Sequence, residues 1–183
     1  SVVSSRGEYA FPVEERLVTR PSLQMSSYDV EYPSWATSIE EEFTFQDRHP
    51  WIMGEFVWSG FDYLGEPSPY NHHWPAHASY FGIFDLCGLP KNRAYLYKSR
   101  WTREPVLHLL PHWNWPNRAG LATPVHCYTS HETVELFLNG VSQGVRSKQG
   151  ADRLVWNDVV YVPGELRAVA RAADGSVLQE AVV

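Results

Sequence analysis

The sequence predicts an α/β segment followed by an all-β domain, and three observations carry that expectation. The run Ile52 to Val57 is almost continuously apolar, which is the habit of a strand covered on both faces in a parallel sheet. Helical periodicities flank it, so the order before Thr102 is loop, helix, strand, long loop, helix. After Thr102 short alternating runs are separated by turn dipeptides, the pattern of an antiparallel sandwich. A complete (β/α)8 barrel needs ~250 residues, and the first half of this 183-residue chain has room for about a quarter of one. The expected architecture is the C-terminal portion of a (β/α)8 TIM barrel over residues 1–103, followed by an immunoglobulin-like β-sandwich over residues 104–183.

Each element has its own local reason. Ser1 to Ser34, broken by Pro12, Pro21 and Pro33, reads as a loop of a length that usually serves a site. Trp35 to Asp47 predicts a helix capped by Ser34, since Trp35, Ile39 and Phe43 recur every four residues. Glu40, Glu41 and Glu42 lie early enough to suit the helix dipole, and His49-Pro50 ends it. Tyr80 to Phe84 is a second short strand. Pro90 opens a second helix through about Trp101, at a position where its missing N–H costs nothing. Lys91, Arg93, Lys98 and Arg100 then read as one wet helix face. Val106–Leu110, Pro124–Thr129, Thr133–Leu138, Leu154–Trp156, Asp158–Val162, Glu165–Arg171 and Val177–Val183 are the expected strands, with turns at Asn139-Gly140, Pro163-Gly164 and Asp174-Gly175.

Composition removes several classes. The net charge is −6, spread over both halves, which argues against a nucleic-acid partner because neutralising phosphates needs a basic face. No run approaches the ~20 apolar residues of a membrane span. Cys87 and Cys127 fall in different segments, so no disulfide framework is expected. The chain lacks a starting Met and a charged-then-apolar leader, and Ser1 reads as an internal position. Aromatic content is 14%, with eight Trp, which suits either a large aromatic core or a carbohydrate-binding surface.

The candidate site follows the first strand, in Trp58-Ser-Gly-Phe-Asp-Tyr-Leu-Gly-Glu66. Loops at the carboxyl ends of strands build the active sites of α/β barrels. An indole can cover the C–H face of a pyranose while acids accept bonds from its hydroxyls. Trp58, Asp62 and Glu66 are the candidate substrate-binding residues. The plainer alternative is a core Trp and two acids that cap loop N–H groups or pair with an Arg such as Arg6. Tyr28-Asp29 either approaches the site rim or braces a loop.

Other constellations point nowhere sharper. His72, His73 and His77 surround Trp74-Pro75, but their spacing fits no common zinc motif. That loop is either plainly solvated or a rim for a leaving-group sugar. Trp113-Asn114-Trp115 is either a carbohydrate ledge or, the favoured reading, packing between sandwich and barrel. Ser4-Ser5 and Ser26-Ser27 have no partners at a nucleophile spacing, so a serine hydrolase is not supported.

Several longer runs resemble glycoside hydrolase family 2, in particular its bacterial β-galactosidases. They are Ser1-Val-Val-Ser-Ser-Arg-Gly-Glu-Tyr9, Ser26-Ser-Tyr-Asp29, Gly54-Glu-Phe-Val-Trp-Ser-Gly-Phe-Asp-Tyr-Leu-Gly-Glu-Pro67 and Phe81-Gly-Ile-Phe-Asp-Leu-Cys-Gly-Leu-Pro-Lys91. Leu107-His-Leu-Leu-Pro-His-Trp-Asn-Trp115 and Glu135-Leu-Phe-Leu-Asn-Gly140 resemble the sandwich that follows the barrel in those enzymes. The resemblance implies retaining, exo-acting hydrolysis of terminal β-D-galactosyl residues; separately, no cofactor and no metal are expected. That chemistry needs two carboxylates about 5–5.5 Å apart. It also implies that both catalytic Glu residues lie upstream of Ser1. The chain contains no Asn-Glu dipeptide, and Glu8, Glu55 and Glu66 sit outside the matching motifs. Catalytic residues expected in this chain are therefore none. Its implied partners are a carbohydrate substrate and the upstream barrel and N-terminal domains of the same polypeptide. Relatives suggest the periplasm or export. Trp58 matches the Trp that ends the eighth barrel strand and lines the sugar subsite. A β-glucuronidase, a β-mannosidase or a non-catalytic module remain the alternatives.

Overall fold

The computed structural model describes residues 28–29, 36–68 and 70–183. Seven antiparallel strands form a sandwich in its second half: β1 (Leu107–Leu110), β2 (Val125–Thr129), β3 (Thr133–Leu138), β4 (Val141–Ser147), β5 (Leu154–Trp156), β6 (Leu166–Arg171) and β7 (Val177–Val182). One sheet has the order β1-β2-β5 and the other β4-β3-β6-β7. This resembles the immunoglobulin order, except that the fourth strand pairs with the third and not with the fifth. Along β3 the alternation is complete: Val134, Leu136 and Leu138 are buried, while Thr133, Glu135 and Phe137 are half-exposed. Strand β2 is buried at every position because a helix covers the face that the other sheet does not.

Most expected strands are present within a residue or two of their predicted limits. Two departures are informative. Strand β4, Val-Ser-Gln-Gly-Val-Arg-Ser, was not expected, because it is largely exposed and interrupted by Gly144. Its signal was the turn before it. Asn139 and Gly140 both take positive φ, 50° and 79°, and Leu138 pairs directly with Val141. A two-residue loop with both residues at positive φ joins hairpin strands and obliges the chain to return. Conversely, Asp158–Val162 makes only an isolated bridge, Val160 to Ala122. Pro124 and Pro163 bound the two paired stretches, and proline cannot extend a ladder.

Two α-helices, α1 (Ile39–Arg48) and α2 (Asn92–Trp101), and a short 3-10 helix, Pro116–Arg118, complete the described elements. Helix α1 starts later than expected, because Ser38 and Glu41 form a capping box. The Glu41 N–H donates to Ser38 Oγ at 3.2 Å and the Ser38 N–H to Glu41 Oε2 at 3.1 Å. The expected cap Ser34, and Trp35, lie outside the described residues, as do residues 1–27. Helix α2 begins after Pro90, which bridges to Phe84. The expected strand Tyr80–Phe84 is reduced to bridges from Phe84 to Phe61 and Pro90. Ile52–Val57, also expected as a strand, has no ladder partner among the described residues, and Met53 and Phe56 are fully exposed. A strand exists only through its neighbour's hydrogen bonds.

Helix α2 rests on the first sheet. The Tyr95 ring lies parallel to His108 with centroids 3.7 Å apart, and His108 Nε2 meets Asn92 Oδ1 at 2.9 Å. Its basic residues are a wet face only in part: Lys98 is exposed, while Arg93 and Arg100 are half-buried. Arg93 pairs with Asp29 at 2.5 Å, Arg100 with Asp47 at 2.5 Å while covering the Phe43 ring, and Lys98 with Glu104 at 2.6 Å. Each cation neutralises an acid on a neighbouring segment, so the helix ties loops together. Trp113 and Trp115, read as barrel packing, are buried against the sandwich's own Tyr161. The Trp113 indole donates to Val162 O at 3.0 Å, and the Trp115 N–H to Tyr161 Oη at 3.0 Å. Both thiols, exposed Cys87 and buried Cys127, are free.

Candidate functional site

The loop after Val57 is stapled to the segment 77–84 by main-chain bonds. Ile83 and Phe84 donate to Ser59 O and Gly60 O, and Asp62 donates to Phe84 O, each at 2.9 Å. Further along, Ser79 donates to Tyr63 O at 2.8 Å and Gly65 to His77 O at 2.9 Å. Gly82 permits the crossing, since a Cβ there would stand 2.2 Å from Asp62 N and 2.5 Å from Phe61 C. These are backbone atoms that cannot swing aside. Gly82→Ala is expected to destabilise the protein by about 1–3 kcal/mol through overpacking. Urea unfolding followed by tryptophan fluorescence reads this directly, and an unchanged midpoint would contradict so close a crossing.

The three candidate residues separate into two groups. Asp62 is turned inward. One carboxylate oxygen meets Lys91 Nζ at 2.6 Å, and the other accepts from the Gly82 N–H at 2.8 Å and Ser79 Oγ at 3.4 Å. Lys91 also donates to Tyr80 O at 3.1 Å. Both oxygens of Asp62 are thus engaged in holding the loop's shape. Trp58 and Glu66, by contrast, are joined through Tyr63. The indole Nε1–H donates to Tyr63 Oη at 3.0 Å, and the Tyr63 hydroxyl donates to Glu66. The Glu66 bond, then burial, raise the Tyr63 hydroxyl above its ordinary value, so it stays a donor.

This arrangement suits a stacking platform. The indole is 72% exposed, and its only polar atom is already satisfied. Tyr63 stands edge-on at 89° with centroids 6.1 Å apart, contacting an edge and not a face. Sequence reasoning placed Tyr63 on this loop without a role and did not connect Lys91 at all. Tyr63 could have been found as the nearest donor and acceptor between an indole and an acid. For Lys91, distant in sequence, no local signal exists.

Other titratable groups lie apart from this loop. Burial first, then the charge and hydrogen bond of Glu42, raise the Glu55 carboxyl above its usual range. Asp29 is taken by Arg93, which makes it a brace, and Arg6 lies outside the described residues. His72, His73, Trp74 and His77 are all exposed. Among the described residues no group of three or more His, Cys, Asp or Glu could hold a metal, and no helix is long and apolar enough to cross a membrane.

Known proteins match both the fold and the loop. Residues 120–179 match a family model described as a domain of unknown function, DUF4982. The β-galactosidase BoGH2A of Bacteroides ovatus is 40% identical over 190 residues, covering 98% of this chain and 22% of that enzyme. A β-glycosidase structure from Bacteroides vulgatus superposes with a TM-score of 0.77 at 38% identity, over 88% of this chain and 20% of that one. A β-glucuronidase structure from Parabacteroides merdae gives 0.61 at 30% identity, over 79% of this chain and 19% of that one. These relatives define one class among themselves, the glycosidases. The chain belongs to glycoside hydrolase family 2, and it spans about a fifth of the length of these relatives.

Proposed function

We propose that this chain is the part of a retaining, exo-acting β-galactosidase that supplies one wall of its sugar site, with Trp58 as the platform under the bound galactosyl ring. In this reading residues 1–103 belong to the strand 7–8 region of a TIM barrel, residues 104–183 form the sandwich beside it, and both catalytic Glu residues lie on other parts of the polypeptide. The observation that carries it is the Trp58 indole: exposed faces, a satisfied N–H, and an edge held by Tyr63 and Glu66. Asp62, paired with Lys91, shapes the loop beneath it, and Glu66 acts on the sugar through Tyr63 and Trp58. The fully exposed Met53 and Phe56 fit a strand whose faces are covered by the outer helices and the packed interior of a barrel.

The whole enzyme should release a chromophore from an aryl β-galactoside, and Trp58→Ala should lower kcat/KM at least tenfold, about 1.4 kcal/mol of transition-state binding. A rate within twofold of the unaltered enzyme would remove the platform role. A second reading keeps the site and changes the sugar, supported by the similarity to a β-glucuronidase. Preference for an aryl β-glucuronide in the same assay would select it.

A further inference from the structure

We infer that Trp74 is the platform for the leaving-group sugar, a second stacking surface carried by the loop that springs from the Trp58 site. This inference rests on the proposed glycosidase reading and adds a residue that determines leaving-group specificity.

The first support is connectivity. The excursion from Glu66 to Ala76 closes at its base through the Leu64–Ala78 bridge and the bond from the Gly65 N–H to His77 O at 2.9 Å. Glu66, its first residue, receives the Tyr63 hydroxyl, which in turn receives the Trp58 N–H. The loop bearing Trp74 is therefore anchored beside the platform for the first ring. Trp74 follows Glu66 by eight positions, more than enough chain to reach a neighbouring ring.

The second support is the tip's construction. Successive turns fix the chain: His73 donates to Tyr70 O at 2.9 Å and Ala76 to His73 O at 2.8 Å. Tyr70 packs edge-on against Tyr80 at 5.2 Å. Trp74 stands 91% exposed at this tip. Its neighbours Asn71, His72, His73 and His77 are exposed and polar, unlike the apolar run around Met53 and Phe56 that suits a buried strand. An indole amid wet polar groups on a hydrogen-bonded turn matches a surface for an amphipathic ring. His77 adds hydrogen-bonding capacity. Its Nδ1 faces Pro75 O at 2.5 Å, and a carbonyl only accepts, so the proton sits on Nδ1. In the tautomer with its single proton on Nδ1, Nε2 is an acceptor for a sugar hydroxyl.

The test compares leaving groups in the whole enzyme. The unaltered enzyme is first assayed on aryl galactosides, glucuronides and mannosides, and activity on none of them would mean that the glycosidase reading itself fails. With the accepted glycone, Trp74→Ala is then assayed on a β-linked disaccharide and on the glycosyl fluoride, whose leaving group is too small to stack. The expected result is a kcat/KM loss of about tenfold on the disaccharide and less than twofold on the fluoride, with an unchanged melting temperature. Trp74→Phe should recover most of the disaccharide rate. An equal loss on both substrates, or no loss on either, overturns the inference while leaving the glycosidase reading intact.

Discussion

Arg153→Met is expected to lower the stability of this chain by about 3–5 kcal/mol, because it leaves a buried carboxylate without its cation. Arg153 stands just before β5 and reaches out of the sandwich. Its guanidinium pairs with Glu40 of α1 and donates to Tyr28 O, to Asp29 O at 3.2 Å and to Tyr128 Oη at 3.0 Å. It also lies over the Tyr128 ring, 5.1 Å from its centroid. The side chains of Arg153 and Glu40 are only 9% and 13% exposed, so water cannot replace the lost partner. Urea unfolding of the variant measures the effect. The double variant Arg153→Met/Glu40→Gln should recover part of the loss, because no charge is then stranded. A loss below about 1 kcal/mol for the single variant would show that the pair behaves like a surface ion pair.

Acidification from pH 7.5 to pH 5 should weaken the same junction by about 4 kcal/mol, mainly through two histidines. Burial lowers His108 from its ordinary 6.5 to about 4. Burial, and then the charge of Arg153, lower His126 to about 3. His126 is 5% exposed, its Nδ1 has no hydrogen-bond partner among the described residues, and the Tyr28 ring stands against it at 4.6 Å. Both folded values lie below the unfolded one. The unfolded chain therefore takes up protons below pH 6.5 while the native chain refuses them. Their stabilisation is complete above pH 6.5 and is lost as pH falls toward 4 and 3. At pH 5 each histidine accounts for about 2 kcal/mol, since one pH unit corresponds to about 1.4 kcal/mol. Glu55, whose carboxyl is raised, acts in the opposite sense and is relieved by acid. Urea midpoints at the two pH values test the prediction, and the double variant His108→Asn/His126→Phe should lose most of the dependence. An equal pH dependence in that variant would assign it to other groups.

The local signals were legible wherever the physics is local. A capping box needs only Ser38 and Glu41, and an Asn-Gly turn only two residues that tolerate positive φ. Both were present in the sequence, and the second implied β4 even though its exposed, Gly-containing strand shows little hydrophobic pattern. The placement of Trp58 and Glu66 on one loop was equally readable, because they lie within nine residues of each other. What could not be read was which candidate faces outward. Asp62 looks chemically equal to Glu66 on the loop, and only the approach of Lys91 and Gly82 turns its carboxylate inward.

By itself the sequence determined the antiparallel sandwich, most of its strands and turns, the two helices and the similarity to glycoside hydrolase family 2. Each of these rests on neighbours within a few residues or on long shared motifs. Tertiary structure alone decided the roles of single polar groups: Asp62 as a brace, Tyr63 as the link from Trp58 to Glu66, and Arg153 as the tie to α1. Arg153 and Glu40 lie 113 positions apart. A charge is assigned its partner by whichever segments the folded chain brings within hydrogen-bond distance, and no local periodicity encodes that encounter.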